Sequence, residues 1–352
     1  MNKLIRAAAS FIIHLEKRVK SNPHFTGIYK SLSLDTANSE TFANPFQHDK
    51  MLADKVRLDS YQRAITKYVK EGDTVIDLGT GSGILSFIAS SRRPKKIYAI
   101  DHSNIIEKAK LVSQRNGITN IEFLRTHSRS FRTPEKADII IQEQIGEFLF
   151  NEDMVACVAD LRDRLLKEGG KIIPNKFELF IEPAKLKDEY HVPFIWEQHI
   201  HNVDYASLRS LLNGKADRYY YYNFIKPYHL EQFLCDPEAV VSFDLETIKE
   251  SDLPNTIRYL RTVRRDGRLD GFCLYFKAIF DDEIFFSNSP MSKNTSWAIP
   301  LLRVESRECK RGDVVEFGLT IDDIRDPGTW SWSHNVGLRP ESRSSARESP
   351  PG

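Results

Sequence analysis

Residues 75–87 read VIDLGTGSGILSF, and this stretch decides the fold class. The apolar run that ends at Leu78 predicts a buried strand, and Ile84 opens a helical pattern. Glycines in such a connection allow a tight turn and let a ligand approach the backbone and the amide groups at the helix start. The candidate binding residues of this turn are Asp77, Gly79, Gly81 and Gly83.

An acidic residue, Asp101, ends the next predicted strand, which begins at Lys96. In α/β nucleotide-binding folds an acid at this distance accepts hydrogen bonds from a ribose. The glycine spacing is G-x-G-x-G and therefore differs from the dinucleotide pattern G-x-G-x-x-G. A glycine turn that binds nothing is the alternative, but the strand–loop–helix–strand–acid order favours a nucleotide-like ligand.

The pattern around this turn divides the chain into four parts. Strands alternate with helices over 46–174, which predicts a parallel sheet with helices on both faces. Over 175–336 short β-branched or aromatic segments are separated by Gly, Pro, Asp and Asn, which predicts an antiparallel β region. Apolar spacing in 1–45 predicts an N-terminal helical segment, and the Arg-, Ser-, Glu- and Pro-rich stretch 337–352 predicts a disordered tail.

Composition excludes several classes of protein. Lys and Arg number 50 and Asp and Glu 49, so the net charge of +1 argues against a nucleic-acid-binding protein. No apolar stretch approaches the roughly 20 residues that span a bilayer, so we expect no membrane association. The cysteines are far apart and form no C-x-x-C pair, so we expect neither a metal site nor disulfides, and a cytoplasmic location.

Residues 75–87 also resemble motif I of the class I S-adenosylmethionine (SAM) methyltransferases, in the form most similar to the protein arginine N-methyltransferase family. Three other segments agree with that family, and the resemblance extends from about Phe46 to Ile321. They are His48–Leu52 with Asp54, Arg57 and Tyr61, then Glu143 and Glu152 at the spacing of a double-glutamate loop, and Phe286–Pro290 with Thr295–Trp297.

The resemblance implies a Rossmann-like α/β domain followed by a mostly antiparallel β-barrel domain. It also implies a dimerisation insertion around 215–234, and hence a homodimer. The run Tyr219–Tyr222 falls in that insertion. Exposed aromatic residues are typical of an interface, but alternate tyrosines that pack on the barrel are an equal alternative.

The same resemblance assigns the site residues. SAM is expected to contact His48, Met51, Arg57, Asp77, Gly79, Gly81, Gly83, Asp101 and His102. The expected catalytic residues Glu143 and Glu152 also bind the substrate, together with Ser296 and Trp297. Two carboxylates can each accept charge-assisted hydrogen bonds from one guanidinium group, and they reduce the repulsion between that cation and the cationic methyl donor.

Departures from the family pattern keep other hypotheses open. Gln144 stands where the family usually has tryptophan, Ser296 replaces a histidine, and the N-terminal motif lacks its tyrosines. A family glutamate that contacts adenine aligns near Arg129. We therefore expect methylation of arginine in a protein or peptide. The alternatives are a small guanidine-containing or other nucleophilic metabolite as the acceptor, and a catalytically silent SAM-binding scaffold. The glutamates could also be ordinary solvated loop residues.

Overall fold

The computed structural model describes residues 45–337. The predicted N-terminal helix and the predicted tail beyond Gly337 lie outside these residues. Gly337 itself, which we assigned to the tail, closes the last strand. In the part of the chain that is described, no helix is long and apolar enough to cross a membrane.

Two helices precede the first sheet, α1 (Pro45–Ala53) and α2 (Lys55–Tyr68). Asp54 separates them and caps α2, because its side chain accepts a hydrogen bond from the backbone N–H of Arg57. Tyr61 lies on the buried face of α2, and its ring meets Phe280 of the second domain edge-on, with the centroids 5.0 Å apart. Helix α2 therefore packs against both domains.

The α/β domain contains a five-stranded, wholly parallel sheet in the order β3-β2-β1-β4-β5. The central strands are buried along most of their length because helices cover both faces, as predicted for 46–174. The elements are β1 (Thr74–Leu78), α3 (Ile84–Ser90), β2 (Lys96–Asp101), α4 (Ile105–Arg115), β3 (Ile121–Arg125), β4 (Ala137–Gln142), α5 (Met154–Leu165) and β5 (Leu166–Ile173).

This strand order fixes the position of a ligand site. The chain moves from β1 outward to β2 and β3, and then returns to the other side of β1 as β4. In open α/β sheets, ligands bind outside the carboxyl ends of the strands where the order reverses. Leu78 pairs with Gln142 at those ends, so the residues that follow β1 and β4 emerge side by side.

The second domain is antiparallel throughout, which confirms the predicted β region. Its larger sheet has the order β10-β6-β13-β15-β9, with β11 beside β6 and β14 beside β13, and its smaller sheet is β12-β16-β17. The strands are β6 (Lys176–Leu186), β7 (His199–Ile200), β8 (Val203–Asp204), β9 (Tyr222–Ile225), β10 (Leu230–Phe233), β11 (Ala239–Asp244), β12 (Thr256–Thr262), β13 (Gly267–Ile279), β14 (Phe285–Ser287), β15 (Ile299–Cys309), β16 (Val314–Ile321) and β17 (Trp330–Gly337).

Aromatic contacts join the two sheets. Phe272 of β13 packs on Phe317 of β16 with the ring centroids 4.3 Å apart. The indole N–H of Trp332 donates to the backbone carbonyl of Arg303 at 2.8 Å. One hydrophobic core runs from the parallel sheet into this curled pair of sheets.

The insertion differs from our prediction. The range 215–234 contains β9 and β10, which are strands of the larger sheet. The irregular segment between β6 and β9 spans 187–221 instead, and it holds the β7–β8 hairpin and the short helix α6 (Ser207–Leu211). We call this segment the arm.

The run Tyr219–Tyr222 contains both packed and exposed tyrosines, so each of the two interpretations, packing and an exposed interface, fits part of it. The ring of Tyr222 packs edge-on to Phe148 with centroids 4.8 Å apart, and the hydroxyl of Tyr220 accepts from the backbone N–H of Glu305. Tyr219 and Tyr221 are exposed. Alternate residues therefore face the barrel and the solvent.

Candidate active site

A cleft of about 810 Å³, which includes its opening to solvent, lies at the carboxyl ends of β1, β2 and β4 and is closed on one side by α1 and α2. Its size is within the range of small-molecule sites. The predicted site residues that line it are His48, Met51, Arg57, Gly79, Gly81, Asp101, His102, Glu143 and Glu152.

The glycine turn forms the floor of the cleft. Gly79 and Gly81 have φ angles of +71° and +52°, a region that favours glycine. A Cβ atom on Gly81 would lie 2.9 Å from Cε1 of His48, and one on Gly79 would lie 3.3 Å from Cγ of Gln144. Only glycine keeps the backbone this close to its neighbours.

Two residues that were predicted to bind the cofactor, Asp77 and Gly83, do not line the cleft. Asp77 is fully buried beneath the turn, and one of its carboxylate oxygens accepts from the hydroxyls of Thr80 (2.7 Å) and Ser86 (2.6 Å). Burial raises the pKa of Asp77 to about 6, although these hydrogen bonds oppose the shift. A Cβ on Gly83 would lie 2.8 Å from the ring of Phe87 on α3. Both residues shape the turn and do not line the ligand space.

Asp101 is held firmly at the end of β2. One of its oxygens accepts from the backbone N–H of Gly81 at 2.9 Å, and the other accepts from the N–H and the hydroxyl of Ser103 at 2.7 Å each. Each carboxylate oxygen has two acceptor sites, so capacity remains for a ligand hydroxyl. The neighbouring His102 has a buried Nε2 with no partner among the described residues.

Arg129 is not among the residues that line this side of the cleft. It is exposed and pairs with Asp153 at 3.0 Å. His127 and Ser128 lie beside Asp101 and His102 instead. The side chains at the predicted adenine end therefore include imidazole and hydroxyl groups, together with the carboxylates of Asp101, Glu152 and Asp153.

Glu143 emerges from β4 and forms a nearly buried ion pair with Arg57 of α2, at 2.9 Å between Nη1 and Oε1. Arg57 also donates to the backbone carbonyl of Met51 and lies over the ring of Trp297, 5.4 Å from its centroid. Burial raises the pKa of Glu143, and the charge of Arg57 opposes that shift. The ion pair therefore favours the charged form of Glu143.

Glu152 has no hydrogen-bond or ion-pair partner among the described residues. Burial raises its pKa well above the ordinary value, and the negative charges of Glu143 and Glu147 raise it further. Glu152 is half-buried, and a carboxylate that is partly withdrawn from water without a partner is stabilised when a cation reaches it. Glu152 is therefore placed to receive a positively charged group.

Glu147 is a residue of this site that we did not predict. It lies in the outer part of the cleft together with Lys50, Glu143, Glu152 and Trp297. Its position in the same loop, four residues after Glu143, was the signal in the sequence.

The barrel contributes one wall through Ser296 and Trp297. The backbone N–H of Ser296 donates to Asp54 at 2.7 Å, and the indole N–H of Trp297 donates to the carbonyl of Ile145. The other oxygen of Asp54 accepts from the N–H of Arg57 at 3.0 Å. Asp54 thus joins α2 to the barrel loop, so the two domains form the cleft together.

Comparisons with known proteins agree with this geometry. A model described as "Ribosomal protein L11 methyltransferase (PrmA)" matches residues 61–175, and one described as "Arginine methyltransferase oligomerization subdomain" matches 176–322. Protein arginine N-methyltransferase 1 of Saccharomyces cerevisiae is 30% identical over 282 residues, covering 76% of this chain and 78% of the yeast protein. The probable protein arginine N-methyltransferase 6 of Arabidopsis thaliana is 30% identical over 266 residues, covering 74% of this chain and 60% of the plant protein.

The chain spans half of another relative, protein arginine N-methyltransferase 2 of Dictyostelium discoideum, at 29% identity over 70% of this chain. Among solved structures, the Trypanosoma brucei protein arginine methyltransferase 1 enzyme–prozyme heterotetrameric complex with AdoHcy superposes with a TM-score of 0.72. It is 23% identical and covers 86% of this chain and 96% of its own. At that identity the likeness concerns the fold. From the sequence relatives, the chain belongs to the protein arginine N-methyltransferase family.

Proposed function

We propose that this protein transfers methyl groups from SAM to guanidinium nitrogens of arginine in proteins or peptides. The observation that carries the proposal is the convergence of Glu143 and Glu152 on one cleft, beside the glycine turn and Asp101. The two glutamates come from opposite ends of one loop, and both are partly withdrawn from solvent, which is unlike an ordinary solvated loop.

The residues of the inner cleft fit SAM. Asp101 retains acceptor capacity for ribose hydroxyls, and Gly79 and Gly81 let a ligand approach the backbone. Arg57 supplies a guanidinium for the carboxylate of the amino-acid part. When bound, SAM supplies a methyl group carried by a sulfonium cation.

The outer cleft suits one additional cation. Its charged side chains are Lys50, Arg57, Glu143, Glu147 and Glu152, so carboxylates outnumber basic groups. A guanidinium group offers five N–H donors in a plane, and two carboxylates can hold it in a fixed orientation. Orientation and fixed charge are the main contributions that a protein can make to an in-line transfer.

Arg57 has two acidic partners in this proposal, and it exchanges one for the other. In the described structure it neutralises Glu143. When Arg57 turns to a ligand carboxylate, Glu143 loses its partner and becomes available to the substrate guanidinium. The same movement thus prepares both halves of the cleft.

We assign the proton that leaves the methylated nitrogen to a carboxylate oxygen of Glu152. Ser296 replaces the family histidine and has no basic atom near neutral pH, and both oxygens of Asp54 are held by backbone N–H groups. Glu152 lines the cleft, and its raised pKa makes it a stronger base than an ordinary carboxylate.

The test combines labelled SAM with a protein lysate. Wild-type protein should label arginine in proteins, whereas Glu143→Gln should lower kcat by about 10²-fold through loss of electrostatic stabilisation. SAH affinity should not fall, because Arg57 remains. Glu283→Gln, at an exposed glutamate that pairs with Lys67 of α2 and does not line the cleft, is the matched control. Label only in small molecules would favour the metabolite alternative, and binding without turnover would favour the scaffold.

We also propose a homodimer formed through the arm. The arm exposes a set of large apolar side chains: Val192, Ile195, Ile200, Val203, Leu211, Tyr219 and Tyr221. Such a concentration is typical of an association surface. Leu211→Glu should therefore shift the mass in light scattering toward the monomer, whereas Leu260→Glu, equally exposed on β12 of the barrel, should not. An unchanged mass would contradict the assignment, and a dimer that needs a second, related chain would replace the homodimer.

A cytoplasmic location is a further proposal. Its support is that Cys235, Cys273 and Cys309 are buried thiols outside any disulfide, as is usual in a reducing compartment. Cell fractionation with detection of the endogenous protein would test it.

A further inference from the structure

Gln144 occupies a central position in the cleft. It follows β4 directly, and its backbone N–H donates to Oε1 of Gln142 at 3.1 Å. Its side chain extends toward the end of β1, where Cγ lies 3.3 Å from the position of a Cβ on Gly79. Gln144 lines both the part of the cleft that holds Arg57 and the part that holds Asp101.

The side-chain oxygen Oε1 of Gln144 is buried and has no hydrogen-bond partner among the described residues. Buried carbonyl oxygens are nearly always hydrogen-bonded, so an unpartnered one in a binding cleft points to a donor on the ligand. Tryptophan, the usual family residue at this place, has no acceptor oxygen. This feature therefore belongs to the present chain and is not part of the family pattern.

The place of Gln144 in the cleft indicates which hydrogen-bond donor of the ligand its side chain would meet. In the proposed function, Asp101 accepts from the ribose hydroxyls, and Arg57 pairs with the carboxylate of the amino-acid part. The amino group is bonded to the same carbon atom as that carboxylate, so it must lie close to Arg57. Gln144 lines the same cleft as Asp101 and Arg57, lies beside Gly79, and presents a neutral acceptor there.

We infer that Oε1 of Gln144 accepts a hydrogen bond from the ammonium group of SAM or SAH, and so helps to determine which nucleoside the cleft selects. The inference rests on the proposed function, because it needs this ligand in the cleft. It predicts that the protein distinguishes SAH from an otherwise identical compound that lacks the amino group.

Isothermal titration calorimetry with SAH and with desamino-SAH tests the inference without any measurement of turnover. Gln144→Met preserves the length of the side chain and removes the acceptor. It should weaken SAH binding about 10-fold or more, the usual effect of losing a hydrogen bond to a charged group. Desamino-SAH should bind the wild type and Gln144→Met equally. Gln114→Met, on the exposed face of α4, is the control and should change neither affinity.

A second variant distinguishes loss of the acceptor oxygen from a change in the shape of the side chain. Gln144→Glu keeps an acceptor oxygen and should bind SAH at least as tightly as the wild type. The inference is overturned if Gln144→Met binds SAH normally, if it loses affinity for both compounds equally, or if Gln144→Glu is as weak as Gln144→Met. If the wild type itself binds no SAH, the proposed function fails instead, so the two failures are distinguishable.

Discussion

Gly81→Ala tests whether the glycine turn is a ligand surface or only a tight connection. The φ angle of Gly81 is +52°, and an added Cβ would lie 2.9 Å from Cε1 of His48. Gly117 provides a matched control, since its φ is +67° and a Cβ there would meet nothing within 4 Å. The two substitutions share the backbone strain, and only one of them adds a collision.

The expected magnitudes follow from that difference. A left-handed conformation costs a non-glycine residue about 1–2 kcal/mol, and the stiffer unfolded chain offsets about 0.4–1 kcal/mol of this. Both variants should therefore lose about 1 kcal/mol of unfolding free energy. Relief of a 2.9 Å contact against the buried His48 adds an overpacking cost of about 1–3 kcal/mol. His48 lines the cleft, so the contact with the added Cβ disturbs the ligand surface itself. We therefore expect the same ~1–3 kcal/mol to be lost from the free energy of SAH binding, which makes the affinity roughly 5- to 150-fold weaker.

Calorimetric titration with SAH and thermal unfolding of the ligand-free protein measure the two effects separately. Gly117→Ala should match Gly81→Ala in strain while binding SAH like the wild type. Normal SAH affinity in Gly81→Ala would refute the reasoning, because it would show that the space above this turn is not used by the ligand. Equal affinity losses in both variants would refute it as well, since the loss would then reflect strain alone.

Two further predictions concern the carboxylates of Glu152 and Glu147. Glu152→Gln should raise the melting temperature of the ligand-free protein at neutral pH, because burial raises the pKa of Glu152 and its charged form therefore destabilises the fold. This gain should fade as the pH falls toward the ordinary glutamate pKa, and a lower melting temperature at neutral pH would contradict the prediction. Glu147→Gln should move the acidic limb of the kcat/KM–pH profile to lower pH, because it removes a negative charge that raises the pKa of Glu152, and an unmoved limb would show that Glu152 does not control it.

The sequence predicted the parallel half of the fold well because its signals are local. Strands β1 and β4 are buried at nearly every position, since helices cover both of their faces, and the predicted end of β1 at Leu78 agrees with the structure. The turn after β1 follows from its own glycines. The residues that meet in the cleft could then be expected from the strand order alone, because the carboxyl ends of β1 and β4 lie together.

The antiparallel half was predicted less completely. Strand β12 (Thr256–Thr262) alternates buried and exposed residues and carries two arginines, so its apolar content is too low to mark a strand. It is stabilised by pairing with β16, about 60 residues later in the chain, and that partner cannot be read from local sequence. The insertion around 215–234 was implied by the family resemblance alone, and it overlapped β9 and β10.

Two residues of the glycine motif that were predicted to contact SAM do not line the cleft. Asp77 and Gly83 belong to the motif, but the structure uses them to brace the turn and to pack α3. A spacing pattern shows that residues belong to one turn and does not show which of them face the cleft. That distinction depends on the packing of Ser86, Phe87 and His48, which lie outside the glycine positions.

The pairing of Arg57 with Glu143 could not be predicted from the sequence. It also explains how the cleft accommodates two opposite charges. The two residues are 86 positions apart, and each had been assigned a different ligand. Burying either one alone would be costly, whereas the ion pair satisfies both without a ligand. Glu152 has no such compensation among the described residues, and therefore it bears the cost that a bound guanidinium would remove. Under the proposed function, the inner half of the cleft thus has a replaceable partner for Arg57, and the outer half has a carboxylate that no cation compensates.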